Sequence, residues 1–334
     1  MKVSRFLSIG RGTHVLCAVA AGLAFAAAPT AFADAASSYP ERTVRMVVPY
    51  PAGGNTDIIA REIAQRMSVK LGQPFVIDNK PGANSIIGTE TVAKAAPDGY
   101  TLLVAIGAYA NNFALYKKLP YTREDLTPIT QLTRTSLVLV TGKPEITTIE
   151  KLVAAGKDPN APISFASSGV ASAAHLLGER FIRSAGMTST QHVTYKGSSS
   201  TVSDLLTGRI GFIFDAVSAM GPHIESGRLN ALAVTGENRS PLLPNVPSIR
   251  EAGYPDMVAY AFAGLLAPAK TPQPIIDRLA TTAAEVLKDP ALVSKLASIS
   301  TDPVGSTPTE FDKFLDNESA VNGKIIKELN ISLD

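Results

Sequence analysis

The sequence predicts an α/β protein of two lobes. Three observations carry the prediction: short apolar runs alternate with helical patterns from residue 44 onward, the alternation begins afresh near residue 136, and glycines or small hydroxyl residues stand at the strand-to-helix junctions. Strands alternating with helices build a parallel sheet, and ligands of such sheets sit beyond the carboxyl ends of the strands. Binding chemistry is therefore sought at those junctions.

The first unit opens with Val44 to Val48, an apolar run that reads as a buried strand, and continues into the helical pattern Ile58, Ile59, Ile63, Met67. Between them lie Pro51, Ala52, Gly53, Gly54 and Asn55, where adjacent glycines permit a tight turn and close approach of a ligand to the backbone. Asn55 or Thr56 suits the cap of a helix running to about Leu71. Amides at such a helix start carry partial positive charge and hold a carboxylate as readily as a phosphate. The same turn also serves where only chain geometry is needed. A second strand, Phe75 to Asp78, leads through Asn79 to Ser85 into a helix from Ile86 to Ala95. Asp98-Gly99 marks a turn, and Thr101 to Ile106 is a third buried strand, ending at Gly107.

The second unit repeats this grammar. Ser136 to Val140 is an apolar strand, Thr148 to Ala155 a helix opened by a threonine, and Ile163 to Ala166 a strand running into Ser167-Ser168-Gly169-Val170-Ala171-Ser172, followed by a helix from Ala173 to Ala185. Strand His192 to Tyr195, the turn Lys196-Gly197-Ser198-Ser199-Ser200 and a helix to Leu206 come next. Ile210 to Phe214, ending in Asp215, and Ala231 to Thr235 complete a second sheet. A proline-rich connection, Pro241 to Pro247, precedes the apolar run Val258 to Leu266. Beyond Leu266 no further strand is expected: Gln273 to Leu287, Pro290 to Ala297 and a last segment opened by Pro308 all read as helix. The plan is one lobe from residues 40–135 and 258–334, with a second, 136–257, inserted into it. Two chain crossings then act as a hinge.

At 334 residues, 45% hydrophobic and 18% charged, the chain has the composition of a folded globular protein with room for two domains. Its front end differs. Lys2, Arg5 and Arg11 precede an alanine-rich apolar segment, Val15 to Ala28, and Ala31-Phe32-Ala33 supplies an A-x-A cleavage signature, so residues 1–33 read as a secretory signal peptide and the product as exported. The one cysteine, Cys17, lies in that segment after Leu16, too large a residue for lipoprotein processing. Cleavage leaves no disulfide and no thiolate chemistry. It also leaves 28 basic against 29 acidic residues, a formal charge of −1 that argues against a nucleic-acid or membrane-surface partner.

Several side chains carry two readings. Asp57 lies in the first turn of its helix, where the dipole stabilises a carboxylate, and reads as structural. Asp215 either accepts a hydrogen bond from a ligand or is satisfied by nearby amides. Lys196 either pairs with a ligand carboxylate or is solvated. His175, beside Leu176 and Leu177, reads as a packed helix residue. Ser167, Ser168 and Ser172 invite a secreted hydrolase as the rival function, yet no G-x-S-x-G, H-E-x-x-H, P-loop or G-x-G-x-x-G occurs and no triad order is evident. Neither a metal site nor a cofactor is expected.

The motifs in series resemble the periplasmic solute-binding proteins of tripartite tricarboxylate transporters, the Bug family. The resemblance rests on Val48-Pro49-Tyr50-Pro51-Ala52-Gly53-Gly54 with Asp57 and Ala60-Arg61, on Asn79-Lys80-Pro81-Gly82-Ala83, on Ala96-Pro97-Asp98-Gly99-Tyr100-Thr101 and on Leu115-Tyr116. Tyr195-Lys196-Gly197, Asp204-Leu205-Leu206-Thr207-Gly208, Leu232-Ala233-Val234-Thr235 and Pro244-Asn245-Val246-Pro247 extend it through the rest of the chain. It implies a type II periplasmic-binding-protein fold, two α/β lobes with a hinge and a ligand cleft between them, that closes on a small carboxylate and delivers it as a monomer to permease subunits, without enzymatic activity. A binding protein feeding a sensor receptor would share that closure. The matching positions are Tyr50, Ala52, Gly53, Gly54, Asn55 and Thr56 on one side and Ser168, Gly169, Ala171, Ser172, Gly197 and Ser198 on the other, with Lys196 and Asp215 nearby. Where relatives often carry hydroxyl residues and histidine, this chain reads Gly107-Ala108-Tyr109, which implies a less polar far end. The matching loops hold no arginine clamp, so amides and waters would do the binding.

Overall fold

The computed structural model describes residues 38–195 and 200–333. Three parallel strands, β1 (Val44–Val48), β2 (Phe75–Asn79) and β3 (Thr101–Ala105), lie in the order β2-β1-β3. Helices α1 (Asn55–Leu71) and α2 (Ile86–Ala93) connect them, and α3 (Gly107–Leu115) follows β3 directly. The buried stripe Ile59, Ala60, Ile63, Ala64 and Met67 recurs at helical spacing, so α1 lays one face on the sheet. Gly72, in the left-handed region at φ +71°, ends that helix.

The strand β4 (Leu126–Thr141) is sixteen residues long, roughly 50 Å of extended chain. Its first part pairs antiparallel with β9 (Tyr260–Pro268), which in turn pairs antiparallel with β3. Its last part pairs with β7 (Phe212–Ala216) and β8 (Asn230–Val234). Parallel β5 (Ile163–Ser167) and β6 (Thr190–Thr194) complete this second sheet beside β7. The handover occurs where Ser136 still faces Tyr260 and Leu137 already faces Ala216.

The sequence reading recovers only the apolar end of β4. Residues 126–135 interleave threonine, glutamine and arginine with apolar side chains, and Pro128 argues against a strand interior. The pairing absorbs the proline through register shifts at Pro128/Thr130 and Gln131/Thr133. The sheet is accordingly mixed, because β4 and β9 run against the flanking strands. A strand also follows Leu266, contrary to expectation: β10 (Thr301–Pro303) adds to β4. At three residues, including Asp302 and Pro303, it carries no readable pattern.

In the second unit α4 (Ile149–Lys157), α5 (Ala173–Ala185), α6 (Val202–Leu206) and α7 (Val217–Glu225) surround the sheet, and α5 buries Leu177 and Phe181 against Phe165, Phe212 and Phe214. After β9 the chain runs through α8 (Gln273–Val286), α9 (Pro290–Ala297) and α10 (Pro308–Glu328). A capping box of Thr307 and Glu310 starts α10, and fully buried Phe311 seats it on the first sheet. Gly264 in β9 makes that seat possible, since a Cβ there would lie 2.1 Å from Phe311 Cζ. Gly264→Ala is expected to lower unfolding stability by about 1 to 3 kcal/mol through overpacking, with an unchanged denaturant slope in urea titration. A neutral substitution would show that α10 is not held tightly there.

Candidate functional site

The starts of three helices meet at one cavity of about 480 Å³. Tyr50, Asn55 and Thr56 border it at the head of α1, Gly107 and Ala108 at the head of α3, and Ser172 and Ala173 at the head of α5. The loop Ser168-Gly169-Val170-Ala171 completes that side. Thr133 and Thr135 of β4 and Tyr260 to Ala263 of β9 form another wall, and α10 contributes Asn317, Glu318, Val321 and Asn322. Nine residues singled out from sequence are thus brought together: Tyr50, Asn55, Thr56, Gly107, Ala108, Ser168, Gly169, Ala171 and Ser172.

Other expectations fall elsewhere. Ala52, Gly53 and Gly54 are exposed and do not line the cavity. Gly54 is the N-cap of α1, so Asn55 and Thr56 are already helical and neither caps it. Gly53, at φ +84°, is the glycine whose conformation the turn requires. Its N–H donates to Asp57 Oδ2 at 2.9 Å rather than pointing at the cavity. Asp57, only 3% exposed, also accepts from Arg61 Nε and Asn79 Nδ2, each at 2.9 Å. The Arg61 hydrogen bond above all holds its carboxyl down at about 2, with Gly53 and Asn79 adding to the effect against the opposing effect of burial. The amides of Asn55 and Thr56, in the first turn, have no intrahelical acceptor. Asp215 lies buried at the end of β7, where Oδ1 accepts the Ala216 N–H at 2.7 Å, and it is not part of the cavity lining. Lys196, Gly197 and Ser198 lie outside the described residues.

The far side holds groups that sequence reasoning missed. Asn111 Nδ2 donates to the carbonyl of Ala171 at 3.2 Å, and Asn322 Nδ2 donates to Asn111 Oδ1 at 3.0 Å and to Glu318 Oε2 at 3.3 Å. This chain of bonds ties the loop before α5 to α3 and α10. Thr133 Oγ1 is buried at the cavity wall with no hydrogen-bond partner among the described residues, an acceptor or donor open to a ligand. Arg180, half-buried on α5, donates from Nη2 to the Asp256 carbonyl at 2.7 Å. Its spacing from Ala173, Leu176 and Leu177 was a usable signal: a cation on the apolar face of an amphipathic helix.

Comparisons with known proteins place the chain among its relatives. The model of the tripartite tricarboxylate transporter family receptor matches residues 59–331. Protein BugT of Bordetella pertussis is 36% identical over 316 residues, covering 93% of this chain and 97% of that one. A structure of an R. palustris protein with adipate superimposes with a TM-score of 0.76 at 34% identity, over 86% of this chain and 97% of that chain. The periplasmic binding protein BugD gives 0.74 at 31% identity, over 88% and 99%. The fold is that of the periplasmic binding proteins.

Behind the loop 167–172 two imidazoles are stacked. His175 and His192 have ring centroids 3.8 Å apart and planes inclined by 9°, with Phe165 stacked on both. His175 Nδ1 accepts the N–H of Ala171, a residue held at φ +56°, at 2.9 Å. His192 Nε2 lies 2.7 Å from Ser167 Oγ, and that hydroxyl in turn donates to Gly169 O at 3.0 Å. Ser167 is fully buried and outside the cavity lining, so this serine and histidine organise the loop rather than form a nucleophile and base. Burial, then the neighbouring His192, push His175 down to about 4, and burial pushes His192 down. Glu179 Oε1 lies 3.9 Å from His175 Nε2. Between the ordinary histidine value of 6.5 and about 4 the folded chain therefore binds fewer protons than the unfolded one. Stability from the neutral pair is complete above pH 6.5 and drains as pH falls toward 4, by on the order of 2 to 3 kcal/mol. Chemical denaturation between pH 7 and 4.5 should show this decline, and His175→Asn, which keeps an acceptor for Ala171, should flatten it. An equally steep decline in the variant would assign the loss to groups other than His175.

Proposed function

Because the chain belongs to the tripartite tricarboxylate transporter receptor family, we propose that it captures a small carboxylate between two lobes and delivers it to a membrane permease of the tripartite tricarboxylate type. Its relatives are solute-binding proteins, and this chain is a binding protein rather than an enzyme. The observation that carries the reading is the convergence of α1, α3 and α5 on one cavity by their amino ends. Each start contributes amides without intrahelical acceptors and the positive end of a helix dipole, so their common focus favours an anion. Adipate in a similar protein is a ligand of that chemistry.

The lobes are residues 40–135 with 258–334, and 136–257. The hinge lies where β4 and the segment leading into β9 pass between the sheets. A ligand touching α1 and α3 from one lobe and α5 from the other stabilises the closed state by its contacts to both, and the permease reads the closed surface. Residues 1–33 are the export signal, and the mature chain works as a monomer in the periplasm. Among the described residues no helix is long and apolar enough to cross a membrane.

The test fills the focus without straining the fold. A Cβ at Gly107 would meet nothing within 4 Å, and that residue faces the cavity. Isothermal calorimetry on a screen of small carboxylates should find a ligand for the wild type. Gly107→Val should bind it at least about tenfold more weakly, with an undisturbed melting curve in the absence of ligand. Unchanged affinity in the folded variant would place the site elsewhere.

A further inference from the structure

We propose that Arg180 is a specificity-determining residue of this cleft, receiving a second acidic group of the ligand. The inference rests on the carboxylate reading above and narrows it to diacids. Ala173, Leu176, Leu177 and Arg180 follow one another at helical spacing and all border the cavity, so the cavity runs along one face of α5. From the cap residue Ser172 to Arg180 is eight residues, about 12 Å along the helix axis. Side chains on a helix generally lean toward its amino end, so the span between the two groups is of that order. A carboxylate at the helix starts and a second at Arg180 would thus share one wall, with Leu176 and Leu177 beside the apolar spacer between them.

The guanidinium suits this role. Its bond to the Asp256 carbonyl engages one terminal nitrogen and orients the group, which carries five N–H donors in a fixed fork. Arg180 and Glu318 are the charged side chains among the described residues lining the cavity, and each influences the other's ionisation. Glu318 already accepts from Asn322, whose other contact is Asn111. Burial raises the Glu318 carboxyl above its ordinary range, with Arg180 and the Asn322 bond opposing that shift. An aliphatic monoacid would leave the charge of Arg180 facing an apolar tail, at a desolvation cost.

Chain-matched pairs test this directly in the mature protein: glutarate against pentanoate, adipate against hexanoate, and terephthalate against 4-methylbenzoate, with 5-aminopentanoate as the ligand that would prefer Glu318. Calorimetry on the wild type should show at least one diacid bound about tenfold or more tighter than its monoacid partner. In Arg180→Gln that preference should collapse to within about threefold, the loss falling on the diacid. Arg180→Lys should give an intermediate preference, because an ammonium keeps the charge without the fork, and it carries the test if the glutamine variant does not fold. Equal losses for both members of a pair, an unaltered preference, or tighter binding of 5-aminopentanoate than of glutarate would each overturn the assignment. If Gly107→Val abolishes binding while Arg180→Gln leaves the preference intact, the carboxylate reading stands and this inference alone falls. If neither acids nor diacids bind the wild type, both fall.

Discussion

The first amides of an α-helix have no acceptor within the helix, and in this fold three such ends meet at one cavity. That requirement organises much of the rest. The strand-to-helix connections at Tyr50 to Gly54, at Ile106 and at Ser168 to Ser172 must deliver their helices with the amino ends inward. Two parallel sets do so, β1 with β3 and β5 with β7, which run in opposite senses on either side of the antiparallel pair β9 and β4, because each of β1, β3 and β5 ends where the next helix begins. No metal or cofactor is needed to make the place attractive to an anion. Oriented backbone does it at a cost already met by folding.

Around this focus the polar side chains mostly hold backbone in place. Asp57 fastens the glycine turn to α1 and, through Asn79, to the end of β2. The bond from Gly53 gives an exposed turn a fixed shape while leaving the next amides, at Asn55 and Thr56, to the cavity. Across the cavity the stacked histidines and Asn111 do the same for the loop before α5, where Ala171 sits at a positive φ that its side chain disfavours. The two braces differ in their dependence on acid. Asp57 stays ionised down to about pH 2, whereas His175 takes up a proton near pH 4. The loop before α5 is therefore the more pH-sensitive wall.

The apolar contacts extend this division of labour. Leu115 of α3, Ala171 and Leu176 of the second unit, and Ile325 and Ile326 of α10 form a single cluster, and Arg183 of α5 pairs with Glu328 of α10 at 2.8 Å. The last helix thus touches both α3 and α5, although it begins 193 residues after the end of α3 and 123 after the end of α5. An exposed ion pair contributes little, about 0 to 1 kcal/mol, so the burial of Ile325 and Ile326 dominates this contact.

What could be read from the chain alone was local. The Val44 to Val48 run, the glycine turn, the third strand ending at Gly107, the helix from Ala173 to Ala185 and the hydroxyl-rich loop before it declared themselves through periodicity and turn chemistry, and nine of the cavity residues lie at those junctions. Periodicity reports which face is buried, and a junction residue announces itself by what the backbone must do there. Tertiary structure alone decided the rest. β4 extends through a proline and polar residues because two sheets pair with it, β10 exists because β4 offers an edge, and the Gly53 amide turns to Asp57. Arg180, Glu318, Asn111 and Thr133 reach the cavity from elements whose relative placement depends on long-range packing. A side chain's ordinary identity is visible in sequence, but the partner that gives it a role is set by contacts between residues far apart in the chain.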